Sequence, residues 1–215
     1  MGVGQIAAAA LLATALAASA APPAQKEADP FELAAPKDFG AAVAAVERAT
    51  GAKGGAIETA NGAIPLAEGR SFSVESRIAE RLLTGSHATF RKAGLYLFRY
   101  ERAFGLPGEK DRLGLLAESD RNAVLRRIGT GSAHRGLTTE RIVAWLDDLA
   151  KEEPFELTEI GADYVAGRFE RSPKDSAAIA RRSAELAPDL VAGRASTLAL
   201  LAEEIRVNRT LYLIF

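Results

Sequence analysis

A chain of 215 residues has room for one ordinary domain plus an appendage, since domains usually run to roughly 100–200 residues. Its 27 basic and 28 acidic residues nearly cancel, which removes the broad positive field that nonspecific nucleic-acid binding or an anionic membrane surface requires. Cysteine is absent, so disulfide frameworks, thiolate nucleophiles, iron–sulfur clusters and thiolate zinc sites are excluded. With His87 and His134 as the only histidines, no metal or other cofactor is expected; a metal would have to sit among carboxylates, as Ca²⁺ or Mg²⁺ does.

Residues Ile6 to Ala18 form an uncharged Ala- and Leu-rich run, followed by Ala18-Ser19-Ala20 and Ala21-Pro22-Pro23. That order predicts a signal peptide over residues 1–20, cleaved after Ala20, and a periplasmic or secreted mature chain. The run is shorter than the roughly 20 apolar residues of a membrane-spanning helix, so no stable membrane anchor is expected after cleavage. Met1 to Gln5 lacks the usual basic residues, and the alternative for the run is an ordinary Ala-rich terminal helix. Ala21 to Pro36, with four prolines, reads as an extended linker, which leaves residues 37–215 as the folded part.

Asp38 stands where an N-cap belongs, Phe39, Ala42, Val43 and Val46 recur at helical spacing, and Gly51 is the stop. Ala56 to Thr59 and Ile64 to Leu66 are short strands around an Asn61-Gly62 turn. Ser73 is expected to cap a helix bearing Val74, Ile78, Leu82 and Leu83 that ends at Gly85. The runs Gly94 to Tyr100 and Leu113 to Ala117, joined through Pro107-Gly108, are expected to be neighbouring antiparallel strands. Asp120 caps a short helix ended by Gly129, and a longer helix from Thr138 or Thr139 buries Ile142, Val143, Leu146 and Leu149. Phe155 to Ile160 and Tyr164 to Phe169 bracket Gly161-Ala162-Asp163 as a hairpin or one bent strand. Ser172-Pro173-Lys174-Asp175 predicts a helix with Ser172 as cap and Pro173 as its first residue, stopped by Pro188. A last helix carries Leu198, Leu201, Ala202 and Ile205, and Leu211 to Phe215 is a buried terminal strand. The order is roughly α-α-β-β-α-α-β-β-α-α-β, an α+β single domain with a mixed β-sheet covered mainly by helices.

From about Gly94 onward the stretches GLYLFRYERAFG, AVLRRIGTGSAHRGLTTERIVAWL, PFELTEIGADYVAGRFERSP and APDLVAGRASTLALLAEEI, then LYLIF, resemble a bacterial domain-of-unknown-function family numbered 4253. The resemblance lies in the order of these stretches over about residues 94–215 and implies the fold, with no activity attached. Members carry Cys before Pro-Asp and paired tryptophans near the end; here Ala187 precedes Pro188-Asp189, Gly193-Arg194 replaces Gln-Gly, and Ile214-Phe215 stands for the tryptophans. A pocket built from those residues in relatives would be altered in this chain.

Gly129-Thr130-Gly131-Ser132 with His134 and Gly136 has phosphate-loop composition, but it follows a helix and lacks the Gly-Lys-Ser/Thr ending. It reads better as a helix-to-helix connection. Ser132 and His134 lie two positions apart and lack a G-x-S-x-G elbow, so a nucleophile–base pair would need a special turn. Asp163 and Asp189 are the acids in position for general acid–base work, although turn aspartates ordinarily satisfy backbone amides. Trp145 is expected in the core rather than as a ligand platform. Arg121, Arg126, Arg127, Arg135 and Arg141 would give a basic surface, or a solvated face. Arg168, two residues before Glu170, is expected in a same-face or cross-strand ion pair.

The functional expectation is a non-enzymatic exported binding module for a protein or small ligand, using His134, Arg135, Asp163 and Asp189. A hydrolase using Asp163, Asp189 and His134, and an immunity-type inhibitor of a toxin, are the alternatives. Because connections carry function more often than core elements do, the Gly129 to Gly136 loop is expected near the turns holding Asp163 and Asp189.

Overall fold

A computed structural model of the protein describes residues 29–103, 108–192 and 197–215. The expected signal segment, the linker before Asp29, Pro107 of the Pro107-Gly108 turn, and Gly193-Arg194 lie outside the described residues. Part of the expected linker is folded: Phe31 is buried in the core. The Ser86 hydroxyl donates to the Phe31 carbonyl at 2.6 Å and accepts the Leu33 N–H at 2.9 Å. Apolar Phe31 and Leu33 gain burial that a prolines-and-charge reading of the segment overlooks.

The first helix, α1 (Phe39–Thr50), begins where Asp38 accepts the Ala41 N–H and ends at left-handed Gly51. Strands β1 (Ile57–Thr59) and β2 (Gly62–Ile64) form a separate hairpin around Asn61-Gly62, with Gly62 at φ 102°. The expected helix from Ser73 is corrected here. Gly69–Val74 is a strand, β3, and Ser71-Phe72-Ser73-Val74 alternates with the strand period of two. Helix α2 starts only at Ser76 and continues through Gly85 to Lys92. A Cβ on Gly85 would stand 2.7 Å from the Phe31 carbonyl oxygen, so this glycine admits a crossing backbone rather than ending the helix.

Strands β4 (Tyr96–Glu101) and β5 (Asp111–Leu116) pair antiparallel as expected. Helix α3 (Arg121–Ile128) is capped by Asp120 and ended by Gly129. After a 3₁₀ turn over Ala133–Arg135, α4 (Thr139–Glu152) buries Ile142, Val143, Leu146 and Leu149. Strands β6 (Phe155–Ile160) and β7 (Tyr164–Phe169) form the hairpin. Helix α5 (Ser176–Leu186) starts a turn later than the Ser172 cap predicts. Asp175 takes the Ala178 N–H, the Glu153 carboxylate takes the Lys174 N–H, and the Ser172 hydroxyl donates to the Arg206 carbonyl. Tertiary partners thus consume the local capping groups. A short α6 (Asp189–Ala192), α7 (Leu198–Asn208) and β8 (Thr210–Ile214) complete the described fold.

Six strands form one mixed sheet in the order β3-β5-β4-β6-β7-β8, antiparallel throughout except between β4 and β6. The α+β class with helices covering a mixed sheet is therefore the observed architecture. Two apolar cores lie against it. Phe72, Val74, Leu97, Leu113 and Leu115 of β3, β4 and β5 pack with α1 and α2. Tyr96, Phe98, Leu157, Val165, Phe169, Leu211 and Leu213 pack with α3, α4, α5 and α7. The first core draws on no residue of β6, β7 or β8, so the β3, β5 and β4 half is covered on both faces, by α1 and α2 on one and by the β1–β2 hairpin with the α3 core on the other, while the other half is covered on one side.

Candidate functional site

The open half meets the loops at the end of β4 and β7. The Gly129 to Gly136 connection is folded tightly: Ser132 and Leu137 exchange backbone hydrogen bonds, and Gly136 takes φ 63°. It docks on the β6–β7 turn, where the Thr130 hydroxyl donates to the Gly161 carbonyl and the Gly131 N–H to the Ala162 carbonyl, both at 2.8 Å. The 3₁₀ turn supplies the geometry that a two-residue spacing needs, and Ser132 Oγ lies 3.1 Å from His134 Nδ1. That hydroxyl is buried under the exposed imidazole. A glycine-rich connection is what this segment is; its Gly131 and Ser132 N–H groups are engaged with the turn and with Leu137.

The four residues singled out in the sequence separate into three places. His134 meets Ser132; Arg135 and Asp189 form an exposed ion pair with each other; Asp163 projects from the β6–β7 turn, its own carbonyl accepting the Phe215 N–H at 2.8 Å. Among the described residues no hydrogen bond or ion pair joins His134 to either aspartate. Four of the five arginines of the expected basic surface are neutralised, Arg121 by Asp147, Arg126 by Glu140, Arg127 by Glu68 and Arg135 by Asp189. Trp145 packs against the core under the Arg182 guanidinium. The expected Arg168–Glu170 pair is a correction: among the described residues Arg168 has no ion pair. It stands opposite Glu156, whose carboxylate takes Arg91 instead.

Asp163 lines a cavity of about 420 Å³ between the ends of β4, β7 and β8 and the β1–β2 hairpin. Tyr164, Tyr212 and Ile214 form one side, and Glu58, Glu101 and Arg102 another. The register that pairs Tyr164 with Ile214 makes Tyr164 and Tyr212 diagonal neighbours across β7 and β8. Their ring centroids are 6.4 Å apart. A Cβ on Gly161 would fall 2.1 Å from the Tyr164 ring, so the glycine lets that ring lie over the turn. The Tyr164 hydroxyl is enclosed without a hydrogen-bond partner. Burial, and then the nearby Glu159 charge, hold its pKa well above the usual tyrosine range.

Behind the cavity lies a buried ionic cluster that sequence reasoning missed. Arg99, 3% exposed, reaches Asp111 through Nε at 3.0 Å, Glu159 through Nη1 at 3.2 Å and Glu80 through Nη2 at 3.0 Å. Neither Nε nor the Asp111 oxygen it faces makes a hydrogen bond, so that contact is an ion pair only. Asp111 is fully buried, and its other oxygen accepts from the Ser76 hydroxyl and the Ala103 N–H, both at 2.8 Å. Arg102 lays its guanidinium edge on both oxygens of Glu159. A signal for the cluster does exist. Tyr96, Phe98 and Tyr100 alternate toward one core, which puts Arg99 on the opposite face at mid-strand, where a charge needs a buried partner.

Residues 112–215 match the model of a family described as a domain of unknown function (DUF4253), the family that the sequence resembles. The match begins inside β5 and leaves the GLYLFRYERAFG stretch outside it. No curated protein and no solved structure matches the chain.

Proposed function

We propose that this chain is an exported, non-enzymatic binding module that recognises a protein or a small ligand at the cavity beside Asp163 and β8. One observation carries the reading: the cavity lies beside the half of the sheet that α1 and α2 leave uncovered, and it combines apolar wall from Ile128, Tyr164, Tyr212 and Ile214 with charged and polar groups, the usual make-up of a ligand site. The half-exposed Tyr212 and Tyr164 suit such a contact, since tyrosine supplies large amphipathic area with few rotatable bonds. Nucleic acid and membrane are not among the proposed partners, given the balanced charge. Among the described residues no helix is long and apolar enough to cross a membrane.

The binding reading is tested with the wild-type chain and the double variant Asp163→Ala, Tyr212→Ala as baits in an extract of the source organism. Specific capture by the wild type alone, with matching thermal melts, is the expected result; equal capture by both moves the binding surface elsewhere. The export reading is tested by amino-terminal sequencing of protein from the periplasmic fraction. A start at Ala21 is expected, and recovery only from the cytoplasm with Met1 intact refutes it.

A further inference from the structure

Resting on the cavity as the binding site, we infer that its ligand presents an organic cation, an alkylammonium or guanidinium group, to Asp163, Glu58 and the Tyr164–Tyr212 ring pair. Three carboxylates line the cavity, Glu58, Glu101 and Asp163, against one cation, Arg102. That cation is already committed, because both oxygens of Glu159 engage its guanidinium. The buried cluster adds no positive surplus: Arg99 and Arg102 are matched by Asp111 and Glu159, and Glu80 adds a further negative charge beside Arg99. Glu101 is engaged by Arg112 at 3.0 Å. The carboxylates of Glu58 and Asp163 have neither an ion pair nor a hydrogen bond among the described residues, so the cavity wall keeps two uncompensated negative charges.

The aromatic geometry selects the kind of cation. Two tilted tyrosine rings in mutual contact form the wall next to Asp163, and an aromatic ring attracts weakly hydrated organic cations carrying apolar carbon beside the charge. A divalent metal ion suits the place poorly. Such ions take six or more oxygen ligands, and no group of three metal-ligating side chains converges among the described residues. A cavity of about 420 Å³ admits a charged head with several carbons of stem, which either a free amine or a basic side chain on a peptide would supply.

The test uses backbone-amide NMR titration of the whole chain with four probes: agmatine, the capped peptide acetyl-Ala-Arg-Ala-amide, its neutral counterpart acetyl-Ala-Ala-Ala-amide, and glutarate. Saturable shifts at Ala162, Asp163, Tyr164 and Tyr212 with agmatine or the Arg peptide, and not with the neutral or anionic probes, are expected. Tighter binding of the Arg peptide identifies a basic side chain as the source, and tighter binding of agmatine a free amine. Asp163→Asn and, independently, Tyr212→Leu should each weaken binding by about threefold to tenfold. Asp163 is exposed and Tyr212 half-buried, and the dispersion of each variant's amide spectrum shows that its fold is retained for the comparison. Equal shifts with glutarate or the neutral peptide overturn the cationic ligand while leaving the cavity as a site. Shifts confined to other surfaces, or none with any probe, overturn both.

Discussion

In the half of the sheet formed by β3, β5 and β4, α1 and α2 cover one face and the β1–β2 hairpin with the α3 core covers the other, and the strands bury charge as well as apolar side chains. In the half formed by β6, β7 and β8, one face is packed on α3, α4, α5 and α7 while the other leaves Arg168, Tyr164, Tyr212 and Ile214 partly or fully exposed. The same secondary structure therefore serves two physical ends. Double cover allows Asp111 and Arg99 to persist without water because each has several polar partners; single cover leaves aromatic rings and carboxylates lining a cavity. If this division is right, substitutions in the covered half should act on stability, and those on the open face should act on binding.

The largest effect should come from the open half, on its covered face. Deleting Leu211 to Phe215 removes Leu211, Leu213 and Phe215, all buried, each contributing roughly 1.5–3 kcal/mol. It also strips β7 of its partner along one edge. The loss is comparable with the roughly 5–15 kcal/mol that holds a domain together, so the truncated chain should be insoluble or lack a cooperative melt. Normal solubility with an unchanged melting temperature would make β8 peripheral and remove the floor of the cavity.

Next in size is Asp111→Ala. The change leaves Arg99 with a weaker set of acids and the Ser76 hydroxyl and Ala103 amide without their acceptor. Breaking one side of a buried pair costs about 3–5 kcal/mol, readable as a drop in the urea midpoint with little change in slope. A loss under about 1 kcal/mol would mean that water reaches the cluster and that the double cover is not what keeps it dry.

How far the sequence revealed all this differs element by element. Asp38, Asp120 and Thr138 announce their helices because each cap acts on its own first turn. The β6 and β7 pair follows from the turn residues between two short runs, and β8 from its short apolar run. The misread positions are those where a distant segment decides. Gly85 is set by Phe31, more than fifty residues away; the Ser172 cap is overruled by Arg206 and Glu153; β3 reads as a helix start because Ser73 fits a cap. The cavity is assembled the same way. Asp163 is visible as a turn acid, but its joining with Tyr212, Glu58 and Arg102 depends on sheet order, which no local pattern carries.

A smaller effect sits at the seam between the halves. His87 on α2 is buried, with Nδ1 donating to the Leu97 carbonyl at 2.7 Å, Nε2 lacking a partner and the Tyr96 ring edge-on at 5.0 Å. Burial is the main cause that lowers its pKa below the ordinary value of 6.5. The unfolded chain then binds a proton that the folded chain resists, so stability is intact above pH 6.5 and declines as pH falls below it. The decline cannot exceed about 1.4 kcal/mol per pH unit for one proton. Urea midpoints of wild type and His87→Gln between pH 7.5 and 5 should diverge in slope below pH 6.5, the wild type falling faster. Parallel curves would show that this imidazole charges without penalty and that the α2 face of β4 is wetter than its packing implies.

The smallest expected effect is at Arg135 and Asp189, outside both the cluster and the cavity. Their side chains are 35% and 46% exposed, so water and salt screen the attraction, and pairs of this kind contribute about 0.2–1 kcal/mol. A double-mutant cycle with Arg135→Ala and Asp189→Ala should give a coupling energy within that range that shrinks as salt is raised. Both single variants should keep the response of the cavity amides to agmatine, because neither residue lines it. Loss of that response in Asp189→Ala, with the melting curve unchanged, would extend the binding surface across the Gly129 to Gly136 loop. The contrast between the two halves would then have to be redrawn, since the loop that docks on the Gly161 turn would be transmitting ligand contact instead of bracing the cavity wall.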